Sequence, residues 1–261
     1  MINIDKNLFL QHPHNIIAIT SGIGSVGKTW LTATLAQALN QMHRSVLMFD
    51  ADGGLLNLDF QLEFVRRHTL DEVVSGAITL NQAIMPINKR KMDILTAASG
   101  SDLLESLPLG QLQILRDDLL TVAQNYQYVI IDLPPSEKII QHLLPPSLNL
   151  ILVCTNDPAN LVATYNFLQN RDVHHRNTSL QIAVNYALSY EEGLRTYNTL
   201  RQACEKYVKQ TPSLLGVIRQ DTRVRDAIRN HSLLLSRYPN AEASEDVIKI
   251  AAKIIEQENF K

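Results

Sequence analysis

Only two cysteines, Cys154 and Cys204, occur in the 261 residues, and they lie far apart. That spacing offers neither a disulfide framework nor a cysteine-based metal site. Cys154 ends the apolar run Leu150–Cys154 and reads as a core residue, which fits a reducing compartment. An excess of charge of one sign is also missing. The net charge is -2 and no long run of like charge occurs, so no nucleic-acid-binding surface is evident. No apolar run reaches the roughly 20 residues that a membrane-spanning helix needs. Met1–Gln11 carries Asp5 and Lys6 and lacks the apolar stretch of a secretory signal, so a cytoplasmic location is expected. Internal repeats, low-complexity segments and a clear linker are absent; Pro134-Pro135 and Pro145-Pro146 punctuate loops. No Ser-His-Asp or Cys-His arrangement stands out. His174-His175 has no cysteine or carboxylate cluster beside it and reads as a solvated turn. Lys89-Arg90-Lys91 reads as a solvated loop.

What is present is enough apolar residue, 45%, to bury one sizeable core. Short β-rich apolar runs recur at Ile16–Thr20, Ser45–Phe49, Met92–Thr96, Tyr128–Ile131, Leu148–Cys154, Leu180–Val184 and Leu214–Ile218. Helix-length segments separate most of them: Trp30–Met42, Leu109–Asn125, Asn160–Arg171 and Gly193–Val208. Uniformly apolar strands alternating with helices predict an α/β domain, doubly wound, with a mostly parallel sheet. Thr69-Leu70-Asp71-Glu72 has capping-box form, with Gly76 placed to close a short helix. Val247, Ile250, Ala251, Ile254 and Ile255 recur at helical spacing, predicting a last helix over about 245–256 with one apolar face. The expected organisation is an N-terminal arm at 1–14 and a single domain over 15–261.

Three segments carry chemistry. Gly22-Ile23-Gly24-Ser25-Val26-Gly27-Lys28-Thr29 follows an apolar strand and opens a helix, the context of a phosphate-binding loop. Glycines there let backbone N–H groups converge on phosphate oxygens, and the helix N-terminus adds a favourable dipole. In that reading Lys28 reaches the β- and γ-phosphates of ATP and the Thr29 hydroxyl ligates Mg2+. The second segment, Val46–Asp52, is an apolar strand ending in Asp50 and Asp52. Carboxylates at that end of a parallel strand position a metal-bound or attacking water, or are simply solvated. The third, Tyr128–Asp132, is a strand ending in an aspartate that suits water-mediated contact with Mg2+.

In this order and spacing, the three segments resemble the MinD/ParA group of P-loop ATPases, and within it the FlhG/FleN branch, which controls flagellar number and placement. The resemblance runs from about Asn15 to Ile255. Beyond the loop it rests on Asp50-Ala51-Asp52-Gly53-Gly54-Leu55-Leu56-Asn57-Leu58-Asp59, on Thr69–Gly76, on Ala97–Gly100, and on Asp132-Leu133-Pro134-Pro135. Asp157-Pro158, Val184-Asn185, and Gly216–Asp221 with Val224–Ile228 extend it. The resemblance implies that Asp52 positions the attacking water, that Asp50 and Asp132 support Mg2+, and that Asn185 hydrogen-bonds adenine. It also implies that Asn57 lies in the segment that responds to nucleotide state. Without the resemblance, Asn185 reads as a turn former. The partners implied are ATP or ADP, a flagellar regulator or flagellar GTPase, and a second copy in a nucleotide-dependent homodimer.

The chain also departs from the group. Ile23 stands where the loop usually has a lysine aimed at the partner subunit's phosphates, so that cation is missing. Ser25 replaces a usual glycine and adds a Cβ. Leu133–Ser136 replaces small residues, and Arg219 replaces a proline. These positions put efficient hydrolysis and ATP-driven dimerisation in question, whereas Lys28, Thr29, Asp50, Asp52 and Asp132 keep the means of binding. Three readings follow: a flagellar nucleotide switch, a relative that binds partners but hydrolyses little, and a positioning ATPase for another client. The apolar face of the last helix is expected to pack on the domain rather than on a membrane.

Overall fold

The computed structural model describes residues 15–53, 58, 67–88, 91–97, 102–145, 148–170, 179–208 and 210–259. The arm expected at 1–14, the switch residue Asn57, the histidine pair and most of the Ala97–Gly100 turn lie outside them. Among the described residues eight strands form one sheet: β1 (Ile16–Ser21), β2 (Val46–Asp50), β3 (Met85–Asn88), β4 (Met92–Thr96), β5 (Tyr128–Asp132), β6 (Asn149–Cys154), β7 (Ser179–Ala187) and β8 (Ser213–Arg219). Their spatial order is β3-β4-β2-β5-β1-β6-β7-β8. Every pairing is parallel except that of β3 with β4. The expected doubly wound sheet is thus present.

Alternation along each strand divides the core into two layers. Ile16, Ala18, Leu47, Phe49, Val129 and Ile131 enter one, with residues of the helices Leu109–Ala123, Glu137–Leu143 and Tyr190–Tyr207. Ile17, Ile19, Met48 and Ile130 enter the other, against α1 (Lys28–Gln41) and the C-terminal helix Glu242–Asn259. Because both faces are covered, the strands need apolar residues at every position, which is why they read as continuous runs. Cys154 and Cys204 are both buried among the first layer. Trp30 is buried in the second, on α1.

Most elements match their expected places. Thr69 caps the helix Leu70–Val74 as predicted, with Glu72 accepting from the Thr69 N–H at 2.9 Å and Gly76 following at φ +77°. The strand β3 was not visible in the sequence. It holds four residues, includes Pro86 and pairs antiparallel at the sheet edge, where a residue without an N–H is tolerated. The C-terminal helix is longer than periodicity indicates, because Glu242 and Ala243 continue it upstream of the apolar repeat. Its Val247, Ile250, Ala251 and Ile254 are buried in the core, so its apolar face is already covered. Among the described residues no helix is long and apolar enough to cross a membrane.

Arg219, at the end of β8, fastens that helix to the sheet. Its backbone N–H donates to Asp246 Oδ2 at 3.0 Å, and its Nε and Nη2 donate to the two Asp246 oxygens at 2.9 and 3.0 Å. Nη1 reaches Glu242 at 2.7 Å. Asp246 is only 5% exposed, and this fork satisfies both its oxygens. Arg219→Ala should destabilise the protein to urea by about 3 kcal/mol, because it strands a buried carboxylate. Arg219→Pro should cost more, since it also removes the N–H donor. Arg219→Ala with Asp246→Ala should recover part of the loss; a double variant no better than the single one would contradict this account.

Candidate functional site

β1 is flanked by β5 on one side and β6 on the other, and the chain changes sides of β1 between those two strands. In α/β sheets such a reversal opens a crevice at the carboxyl ends of the strands. The segment Gly22–Gly27 occupies that position and leads directly into α1 at Lys28. Its path is fixed from two sides. A Cβ on Gly22 would lie 2.4 Å from the backbone of Ala163 and Thr164 in the helix Pro158–Asn170, so only glycine fits. Gly27 has φ +93° and precedes the first turn of α1, a conformation that a side chain disfavours. Ile23, Gly24 and Ser25 form an exposed rim, while Val26 is buried. Ser25 itself has φ +63°, the left-handed region, which explains why glycine is the easier residue there.

Three carboxylates face this loop from the strand ends. Asp50 and Asp132 are direct neighbours in the parallel register of β2 and β5. By the strand alternation both project to the α1 side, where Met48 and Ile130 also lie. Both are essentially buried. Each has a local partner: the Leu58 N–H donates to Asp50 Oδ2 at 3.0 Å, and the Thr29 hydroxyl donates to Asp132 Oδ2 at 2.5 Å. Lys28 is 5% exposed and its Nζ lies 3.0 Å from Asp52 Oδ2. The lysine of the loop is therefore paired with the carboxylate from which the sequence expects water positioning. Asn185, from β7, is 1% exposed and its Nδ2 donates to the Val26 carbonyl at 2.9 Å. The tertiary structure thus gathers Lys28, Thr29, Asp50, Asp52, Asp132 and Asn185 around one loop. Sequence reading missed the pairing of Lys28 with Asp52 and the contact of Asn185 with Val26; 159 residues separate the latter two, and no local signal links them.

The donor set suits a magnesium ion carried in with a phosphate ester. Mg2+ is ordinarily held by one or two carboxylates together with phosphate and water oxygens. Asp132 Oδ1 is buried and has no hydrogen-bond partner among the described residues, an oxygen in want of a cation or a donor. Burial pushes the Asp132 carboxyl well above the usual carboxylate range. The Asp50 charge adds to this, while Lys28 and the Thr29 hydroxyl oppose it. A divalent cation beside these oxygens would reverse that balance.

The raised value has a consequence for the nucleotide-free protein. The folded state holds the Asp132 proton more tightly than the unfolded chain does. Its stabilising contribution is therefore complete below the unfolded value near 3.8 and is lost as pH rises through the raised folded value. Asp132→Asn keeps an acceptor for Thr29 without the charge. Its melting midpoint without nucleotide should exceed that of the wild type by several degrees at pH 8, and the gap should shrink toward pH 5. A gap independent of pH would refute the assignment.

Comparison with known proteins agrees with this architecture. A sequence-family model described as AAA domain matches residues 14–174. The antiactivator FleN of Pseudomonas aeruginosa is 26% identical over 251 residues, covering 95% of this chain and 89% of FleN. The flagellum site-determining protein YlxH of Helicobacter pylori is 25% identical over 242 residues, covering 92% of this chain and 81% of YlxH. Among solved structures, the septum site-determining protein MinD of Pyrococcus horikoshii, complexed with Mg-ADP, superposes with a TM-score of 0.75 at 22% identity. That match covers 95% of this chain and 98% of MinD. With a sheet, a loop and a strand-end acid pair of this kind, the chain belongs to the AAA domain family, as a MinD/ParA-type P-loop ATPase of the FlhG/FleN kind.

Proposed function

We propose that the protein is a nucleotide-operated switch that acts on flagellar number or placement through a protein partner in the cytoplasm. The observation that carries the nucleotide half of this reading is the convergence of Lys28, Thr29, Asp50, Asp52 and Asp132 on one loop at the carboxyl edge of the sheet. The flagellar half is supported by the two relatives named for flagellar control, which match over most of this chain.

In this reading the N–H groups of Gly22, Gly24, Ser25, Val26 and Gly27 cradle the phosphates of ATP, and Lys28 neutralises them. Thr29, Asp50 and Asp132 hold Mg2+, directly or through water. Bound there, Mg2+ would supply charge neutralisation of the β- and γ-phosphates. Asp52 orients the attacking water. To do so it must exchange its pairing with Lys28, which the incoming phosphate charge favours, since both anions compete for one ammonium. Asn185, whose amide meets the loop at the Val26 carbonyl, hydrogen-bonds the adenine base. Asn57, a few residues beyond Asp52, would report the nucleotide state to a flagellar regulator or GTPase, or to a second copy of the chain. Asp50 supports such a link, because it already holds the Leu58 N–H, next in sequence to Asn57.

A second reading has its own observation. Ile23, where the group has its lysine, is 45% exposed on the rim of the loop and supplies no cation. A protein that binds ATP and partners but turns over slowly fits that residue better than an efficient hydrolase does.

Two variants separate the readings. Ile23→Lys should raise ATP turnover by about tenfold or more if the missing cation is what limits hydrolysis. Wild-type turnover already equal to that of Ile23→Lys would remove the slow-hydrolysis reading. Asp52→Ala should lower turnover by about a hundredfold or more while ATP still binds; unchanged turnover would show that Asp52 does not position the water. Absence of any ATP affinity in the wild type would end both readings.

A further inference from the structure

The geometry points to Asn185 as a positioning residue that sets the direction of a phosphate-binding N–H in the loop. This rests on reading Gly22–Thr29 as the phosphate site, and it goes beyond any contact of Asn185 with a base. Asn185 stands two residues before the end of β7 and is buried. Its Oδ1 accepts the Tyr186 N–H at 2.9 Å, which fixes the amide with its nitrogen toward the loop. Its Nδ2 then donates to the Val26 carbonyl at 2.9 Å. The peptide joining Val26 to Gly27 is trans, like every peptide bond in the described residues. In a trans peptide the carbonyl and the following N–H point in opposite directions. Holding the Val26 carbonyl toward Asn185 therefore turns the Gly27 N–H away from it, with no freedom for the peptide to flip.

Two further features show that the contact is built rather than incidental. A Cβ on Gly27 would come within 2.4 Å of Asn185 Nδ2 and 3.4 Å of the Tyr186 hydroxyl, so the loop lies against this strand end. Tyr186 has φ +58°, the left-handed region that a side chain disfavours. The register of β7 with β8 is irregular between Val184 and Ala187. The strand leaves regular geometry at the residue whose N–H orients the Asn185 amide.

A base contact and a loop-positioning role differ in what they do to a ligand without a base. Binding of ATP and of Mg2+–tripolyphosphate is measured by titration calorimetry for wild type and Asn185→Ala. Positioning predicts that both ligands weaken by a similar factor, about fivefold to tenfold, the size of one lost buried hydrogen bond. Weaker ATP with unchanged tripolyphosphate would overturn the inference and leave Asn185 as a base contact. Wild-type protein that binds neither ligand would instead overturn the phosphate-site reading itself. Should Asn185→Ala not fold, the wild type answers alone. With asparagine labelled with nitrogen-15, the Asn185 side-chain amide signal should move on adding Mg2+–tripolyphosphate. A signal that stays still with tripolyphosphate and moves only with adenosine would overturn the inference.

Discussion

Two carboxylates that end neighbouring parallel strands on the same face, Asp50 and Asp132, set the terms for everything around them. Burying such a pair side by side is costly unless donors and a cation answer it. The surrounding structure supplies them piecemeal. Thr29 offers its hydroxyl from the first turn of α1, Leu58 offers its N–H from beyond β2, and Lys28 stands near with its charge turned to Asp52. What is left over is one buried oxygen on Asp132 and a carboxyl held well above its usual range. That remainder is what the proposed reading would have a cation answer.

Three positions that the sequence marks as unusual, Arg219, Ser25 and Ile23, have physical accounts of different strength. Arg219 is accounted for fully: it clamps the buried Asp246 and thereby the C-terminal helix, through a backbone N–H that proline could not provide. Ser25 occupies a left-handed position where glycine would be relaxed, on the exposed rim rather than in the packed part of the loop. Ile23 leaves an apolar side chain exposed on the rim of the loop, where the proposed reading would look for a cation. The first concerns stability, the second local strain, and only the third bears on the turnover that the proposed reading assigns to the loop.

The loop is governed from three directions that are remote in sequence. Gly22 leans on the backbone of Ala163 and Thr164, Gly27 abuts Asn185, and Thr29 bonds to Asp132. A change at any of these neighbours reaches the backbone of the loop without replacing one of its residues. That arrangement suits a protein whose output depends on the shape of the loop and its flanks when nucleotide is bound.

Much of the fold was legible in the chain. Strands covered on both faces must be apolar throughout, so β1, β2, β5 and β6 announce themselves as continuous runs; the capping box at Thr69 and the apolar stripe of the last helix are equally local signals. The loop Gly22–Thr29 and the acids at 50, 52 and 132 were legible too, because close backbone turns and strand ends impose residue types in short windows. The edge strand β3 was not, since four residues with a proline carry little pattern. Nor were the pairing of Lys28 with Asp52, the clamp of Arg219 on Asp246, or the bond from Asn185 to Val26. Which elements form, and which chemical groups end them, follows from the chain alone, because those depend on near neighbours and burial. Which groups meet is settled by strand order and register, which bring Val26 and Asn185 together across 159 positions.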